Sequence, residues 1–471
     1  MKIYNTSSKK EETFAPLKEN TVTMYSCGMT VNSHTHIGHL RKYLMDDILY
    51  KYLVYSGYNV KHVMNVTDVG HGVGDDEEAD DKLQVKAIAE NISPWEVAHK
   101  YEAEFFEQLG KLNIHKPTIV ARATEHIPEM IDLIKKLEAN DMLYETNVGL
   151  MYDTSKFADY AKFARLELEN QMAGESTMQD TQRRNTSDFA VWIKNKPNHI
   201  MKWDSPWGVG YPGWHLECSA MALHYLGEQI DIHTGGVEHI NVHHTNEIAQ
   251  SEGATGKKFC NFWVHCGHLQ MDGEKMSKSL GNVYSIADLN KRGYSALAFR
   301  FVLLKSDYKK SFNFTWDSMH NAQNEYVKIL RQMAEMEGCV GGSVNEEFLQ
   351  KFKEALDNDL NTSLAITVLH ELLASKIPSA DKVVTIAEFD KVLGLDLLNA
   401  RYQLNILEQL QGIDYLERQK ANLLLAQRND ARKNKDYTRA DQIRDEISQM
   451  GYEILDSREG STLQYKDFGK I

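Results

Sequence analysis

The chain has 471 residues, 42% hydrophobic and 25% charged, with a formal net charge of −14. That length supports two to four domains with their own cores. The acidic balance argues against a generic nucleic-acid coat, which runs on positive charge, without excluding a local basic face.

The opening dozen residues, MKIYNTSSKKEE, lack an apolar core and a cleavage pattern, so no secretory signal is expected. No stretch approaches the roughly 18 uninterrupted apolar residues that a spanning helix needs. Five cysteines, Cys27, Cys218, Cys260, Cys266 and Cys339, are sparse and odd in number. That usage fits a reducing cytoplasm, where a special cysteine is a ligand or nucleophile rather than a staple.

Residues 21–31, TVTMYSCGMTV, read as a buried strand. Across 40–56, Leu40, Leu44, Ile48, Leu49, Tyr52 and Leu53 fall at helical spacing, with Gly57 as a C-terminal cap. YNVKHVMNVTDV then reads as a second strand. Strand, helix, strand makes a βαβ unit, whose ligand crevice lies at the carboxyl ends of its strands. Residues 70–81, GHGVGDDEEADD, suggest an exposed loop, and 166–190 a polar surface excursion. The stretch 200–285 is dense in Gly, His and Trp. From about 317 the pattern is almost entirely helical, and the last sixty residues form a small charged segment.

The helix opens on His36-Ile37-Gly38-His39. A helix N-terminus offers free N–H groups and about half a positive charge, so a phosphate sits there readily. Gly38 permits close approach, and imidazoles add donors where a phosphoryl group gains charge. One histidine capping the helix and the other facing solvent is the plainer alternative. Residues 273–282, GEKMSKSLGN, place Lys275 and Lys278 three apart between two glycines. Lysines there serve as mobile charges for phosphates on a loop able to close. A basic surface turn would explain that segment alone, but not both segments together.

With HIGH and KMSKS in this order, the chain resembles the class I aminoacyl-tRNA synthetases. The resemblance implies that His36, Gly38, His39, Lys275, Ser277 and Lys278 bind ATP. His36, His39, Lys275 and Lys278 would also stabilise the phosphorane formed when an amino-acid carboxylate attacks the α-phosphate. Magnesium would accompany the phosphates.

A third group decides the amino acid. Cys27 precedes the ATP helix, Cys218 lies in PGWHLECSAM, and His243 and Glu247 lie four apart in VHHTNEIAQSE, on one helical face. Sulfur, nitrogen and carboxylate together suit zinc, though such long separations carry no metal signal of their own. These segments look like the zinc-binding segments of the cysteinyl-tRNA synthetases. By that likeness one zinc is held by Cys27, Cys218, His243 and Glu247, and the substrate thiolate joins it. Trp214 walls the pocket, with Gly28 and Thr67 as further substrate contacts. A zinc–thiolate bond separates cysteine from serine far better than shape does. Cys260 and Cys266, with His265 and His268, are the rival cluster. CNFWVHC reads as a strand with alternating faces, so a structural role is expected.

Near the C-terminus, five basic residues lie between Arg428 and Arg439 against two acidic ones. By resemblance this is an anticodon-binding domain, reading unstacked bases; a solvated helix face is the alternative. Three departures from the family stand out. They are the extra GHGVGDDEEA at 70–79, Thr245 where the family has glutamate, and Leu463 where it often has tryptophan.

The expected fold is α/β, with a Rossmann-type parallel-sheet catalytic domain over 1–316 carrying an insertion at about 118–200. An α-helical bundle over 317–410 and a small anticodon-binding domain over 411–471 would follow. The implied activity is ATP-dependent ligation of cysteine to tRNA-Cys, by a cytoplasmic monomer with no membrane association. Rivals are a ligase joining cysteine to an amino sugar, which lacks a full anticodon domain, and a non-catalytic tRNA-binding paralogue. A bare zinc-dependent nucleic-acid module would leave the ATP motifs unexplained.

Overall fold

The computed structural model describes residues 1–70, 81–160, 162–164, 182–194, 199–276, 281–412, 415–456 and 461–465. The chain divides into two compact units. One comprises Met1–Gln270, Ser306–Phe312 and Lys351–Ala365, and the other Met271–Lys305, Asn313–Gln350 and Ile366–Ile471.

In chain order, the first unit opens with a hairpin of β1 (Lys2–Asn5) and β2 (Lys10–Thr13), then β3 (Thr21–Ser26), α1 (Ile37–Tyr55) and β4 (Asn59–Val66). There follow α2 (Lys82–Glu90), α3 (Pro94–Lys111), β5 (Ile119–Arg122), α4 (Ile127–Ala139), β6 (Leu143–Glu145), β7 (Gly149–Tyr152), β8 (Phe189–Lys194) and β9 (Gly210–Pro212). Next come α5 (Trp214–Leu226), β10 (Ile230–Gly236), α6 (His243–Thr255) and β11 (Cys260–Cys266). The main sheet runs β11-β10-β3-β4-β5, and every neighbouring pair is parallel.

Chain order reverses between β3 and β10: β4 and β5 extend to one side, β11 to the other. In an open parallel sheet that switch point leaves a crevice beyond the strand carboxyl ends, because the following connections depart in opposite directions. Cys27 and the start of α1 follow β3, and Val237–His239 follow β10. The crevice therefore receives both.

α1 forms under that crevice because Ile37, Leu40, Leu44, Ile48 and Leu49 bury one face. Each such burial contributes about 1.5–3 kcal/mol. Arg41 is also buried, and its guanidinium donates to the carbonyls of Gly267 (2.6 Å), His268 (2.7 Å), Asp307 (3.0 Å) and Lys310 (2.7 Å). One side chain thus satisfies four carbonyls that leave regular structure.

Two boundaries differ from the sequence expectation. The first strand ends at Ser26 rather than continuing to 31, because Cys27–Met29 turn away into the crevice. Ile119–Arg122 pairs in parallel with β4, so residues 119–122 belong to the main sheet and not to the insertion placed at 118–200. The excursion is a separate antiparallel sheet, β6-β7-β8-β9, that runs on to Pro212. Residues 71–80 and 165–181, most of the two expected surface loops, lie outside the described residues.

In the second unit, Trp316–Glu335 is capped by Thr315 and packs against Ala296–Leu304 and Ala400–Leu410. Fully buried Arg300 donates to the Leu393 carbonyl at 2.6 Å. Helices Tyr415–Lys433 and Tyr437–Gln449 and the hairpin Tyr452–Asp456/Ser461–Tyr465 share a core of Ala421, Leu425, Ile443, Ile447 and Tyr452. Leu463 packs against that core. Buried Arg428 makes two 2.8 Å bonds to the Asp456 carboxylate, which Arg432 also reaches at 2.8 Å. Two of the five basic residues noted above are thereby engaged inside the fold.

Arg428, and after it Ser461, hold the Asp456 carboxyl well below the usual carboxylate range. A depressed folded value stabilises above the ordinary aspartate pKa of about 3.9 and loses that contribution as pH falls through the folded value. Because the carboxylate is 44% exposed, Asp456→Asn is expected to cost only about 1 kcal/mol. Faster amide exchange in Tyr452–Asp456 would register it.

Candidate active site

Four donors of three chemical kinds meet at the switch point. Cys27 follows β3, Cys218 sits on α5, and His243 and Glu247 lie one turn apart on α6. All are buried, and their ligand atoms lie within 4.8 Å of one another. The two sulfurs are 4.0 Å apart, Cys27 Sγ is 3.7 Å from Glu247 Oε1, and His243 Nε2 is 3.0 Å from that oxygen. A tetrahedral ion with bonds of about 2.0–2.3 Å sets its ligand atoms roughly 3.3–3.8 Å apart. The donor set fits zinc in chemistry and in spacing.

A second combination, Cys27, His233, His244 and Glu247, also lies within that range. Both of its histidines are also hydrogen-bonded. His233 Nε2 lies 2.9 Å from Glu247 Oε2, the oxygen that faces away from His243. His244 Nδ1 meets His265 Nε2 at 2.7 Å, and His265 Nδ1 meets Thr6 Oγ1 at 2.8 Å. His244 Nε2 faces the cluster, 3.3 Å from Cys27 Sγ, and His243 is held in the same way, with Nε2 3.0 Å from Glu247 Oε1 and Nδ1 3.0 Å from His215 Nδ1. An outer partner on the far ring nitrogen is how ligating histidines are usually held. Only the first set contains both thiols, the softer donors.

Burial opposes protonation of His243, but the Glu247 carboxylate and Cys218 outweigh it and push His243 up to about 10. Burial would raise Glu247, yet His233 and His243 hold it well below the usual carboxylate range. Burial pushes the Cys27 thiol up, with Cys218 adding to it. Cys218 is held below its ordinary value because Cys27 and His243 together overcome its burial. Glu247 and Cys218 are thus drawn toward their charged forms, whereas Cys27 is held as the thiol and His243 as the imidazolium, so an ion binding there would displace those two protons.

The cluster opens on a cavity of about 350 Å³, whose lining includes Cys27, Gly28, Gly38, His39, Lys42 and Trp214. Trp214, the first residue of α5, stands with its ring 4.7 Å from that of His243. The Gly28 N–H donates to Asn65 Oδ1 at 2.7 Å, and a Cβ at Gly28 would fall 1.6 Å from the Asn65 carbonyl oxygen. No other residue fits there. Thr67 is not in the lining; its hydroxyl accepts from Asn65 Nδ2 at 3.1 Å, so it reaches Gly28 only through Asn65.

At the other wall, His36 is the N-cap of α1, and its N–H donates to His39 Nδ1 at 3.4 Å. The two rings stack at 3.5 Å. Ile37 and Leu40 are buried beneath, while His36, Gly38 and His39 stay partly open. Lys275 lies on a two-residue strand, Glu274–Lys275, in the second unit, and Ser277 and Lys278 lie outside the described residues. Thr245, the departure beside the ligands, donates to the Ile240 carbonyl at 2.8 Å and leaves the cluster untouched. Cys260 and Cys266 are buried on β11 away from the donor set, as a structural strand requires. His265 of that strand nonetheless braces His244. Sequence reasoning missed His233, His244 and Lys42; only His244, inside HHTNE, carried a local signal.

Residues 13–324 match the model of the class I (C) tRNA synthetase catalytic domain. Residues 351–382 match the DALR domain, and residues 418–463 the cysteinyl-tRNA ligase anticodon-binding domain. The chain is 41% identical to the cysteine–tRNA ligase of Treponema denticola, covering 98% of this chain and 99% of the relative. It is 37% identical to that of Thermus thermophilus over 97% and 98%. Among solved structures, the Mycobacterium tuberculosis methionyl-tRNA synthetase in complex with methionyl-adenylate aligns at a TM-score of 0.55 and 15% identity. That alignment covers 83% of this chain and 91% of that one and shows the shared fold.

Proposed function

The chain belongs to the cysteinyl-tRNA ligase family, with ATP-dependent ligation of cysteine to tRNA as its activity, and from that premise we propose how its residues divide the work. Cys27, Cys218, His243 and Glu247 hold one zinc ion, to which the substrate sulfur binds as thiolate. A bound zinc would lower the thiol pKa and prefer sulfur over the serine oxygen. The observation that carries this reading is the convergence of those four buried donors beside the cavity that Cys27 and His39 line.

Trp214 closes the pocket beside His243, and Gly28, packed closely on Asn65, lines it for the amino acid. Thr67 orients Asn65. ATP, with its magnesium, lies over the N-terminus of α1, where His36, Gly38 and His39 meet the α-phosphate. Lys275, Ser277 and Lys278 supply the remaining phosphate contacts. The cysteine carboxylate attacks the α-phosphate and pyrophosphate leaves; a hydroxyl of the 3′ terminal ribose of tRNA-Cys then takes the cysteinyl group from the adenylate, and AMP leaves.

The C-terminal helical pair and hairpin read the anticodon, with Lys433, Lys435 and Arg439 as the cations not committed to Asp456. Leu463, which packs inward, provides no stacking surface. The enzyme is read as a cytoplasmic monomer, in keeping with five unpaired cysteines. Among the described residues no helix is long and apolar enough to cross a membrane.

Amino-acid-dependent ATP–pyrophosphate exchange tests the reading. Exchange with cysteine at least about 10³-fold above serine, from protein holding one zinc per chain, is expected. Comparable exchange with serine would overturn the thiolate account.

A further inference from the structure

Lys42 lies one helical turn beyond His39 on α1, and its side chain is 12% exposed. Its Nζ donates to the Cys27 carbonyl at 2.5 Å and pairs with the 2%-exposed Asp46 carboxylate at 2.7 Å. Helix stability does not account for this pair. A lysine four residues before an aspartate is the less favourable orientation along a helix, and a buried ion pair roughly breaks even against apolar residues. The pair is directed at Cys27. The Cys27 N–H donates to the Thr234 carbonyl of β10 at 3.1 Å, and the next N–H, of Gly28, to Asn65 at the end of β4. Lys42 adds the third anchor, from α1, to the one donor residue that lies on neither helix nor strand.

We propose that Lys42, braced by Asp46, is a positioning residue that locks the Cys27 main chain and so fixes the Cys27 sulfur in the metal-binding geometry. Without that anchor the peptide after β3 is free to turn, and the sulfur reaches the other three donors only part of the time. An ion held by four well-placed donors then leaves faster. This inference rests on the reading of Cys27 as a ligand. It goes beyond that reading by making retention of the ion depend on a cation that never touches it.

The test uses the zinc-loaded full-length enzyme, with transfer of zinc to a chromophoric chelator followed in the absence of substrates. Lys42→Met is expected to release zinc about tenfold faster, as loss of an outer partner commonly does, and to raise KM for cysteine while KM for ATP stays put. Removing Lys42 alone strands the Asp46 carboxylate, so some loss of thermal stability is also expected. The double variant Lys42→Met/Asp46→Leu removes that burden. It is expected to recover the wild-type melting temperature yet still release zinc about tenfold faster.

Wild-type release from both variants, or from the double variant alone, would overturn the positioning role, since the effect would then be absent or due to the stranded charge. A wild-type protein that purifies folded but cannot hold one zinc per chain would instead overturn the ligand reading itself, and this inference with it.

Discussion

Cys218→Ser is expected to lower kcat/KM for cysteine in pyrophosphate exchange by about 10³-fold, or about 4 kcal/mol, while the protein stays folded. The substitution exchanges one atom on a helix otherwise held by Leu216, Ala220 and Met221, all buried in the core between α5 and the sheet. Packing is nearly conserved, so the loss must come from chemistry. Serine offers a hard oxygen that stays protonated at neutral pH, where Cys218 offers a sulfur whose thiolate Cys27 and His243 favour. In the proposed site the ion would lose a soft ligand, and the substrate thiol the partner that would distinguish it from serine. Three measurements separate the possibilities: zinc content, the melting temperature and the cysteine-to-serine ratio. Zinc below one per chain, an unchanged melting temperature and a collapsed ratio support the account. Full activity with serine at 218 would remove it.

What was legible in the sequence follows from how local each signal is. The HIGH segment opens a helix because Ile37 and Leu40 are apolar at helical spacing and His36 can cap, all within five residues. The helix starts at Ile37 rather than near Leu40 because Ile37 itself is buried. The four-residue strand Ile119–Arg122 escaped notice since IVAR carries no period long enough to count. Its place in the sheet is set by pairing with β4, a tertiary fact. His243 and Glu247 were legible as an i, i+4 pair. Cys27 and Cys218 are 191 residues apart and meet only because α5 crosses the sheet above β3. His233 and His265 lie on buried strands, where a histidine reads as an interruption; their role appears once β10 and β11 are side by side. Lys42 carries no signal of its own, since sequence does not reveal that Asp46 and the Cys27 carbonyl wait beneath it.

The ATP end of the cavity makes the second large prediction. The His36 N–H donates to His39 Nδ1, so in the neutral ring the proton must sit on His39 Nε2. Stacking on His36 fixes the plane of the ring, and His39 lines the cavity. In the proposed ATP site, the neutral ring would thereby aim a donor from a helix N-terminus at the α-phosphate as it gains charge. Such a donor is worth more in the transition state than in the bound ATP, because a fixed dipole has little reorganisation to undergo. His39→Asn is therefore expected to lower kcat for exchange by about 10²–10³-fold, with kcat/KM falling by the same factor. KM for cysteine should hold within about twofold. Zinc content should not change, because the donor cluster lies across the cavity. His39→Gln, whose longer amide reaches farther into the cavity, should recover part of the loss. A rise in KM for ATP that matches the whole loss, with kcat intact, would place His39 in ground-state nucleotide binding. The stacked pair would then serve to shape the helix end rather than to meet the phosphorane.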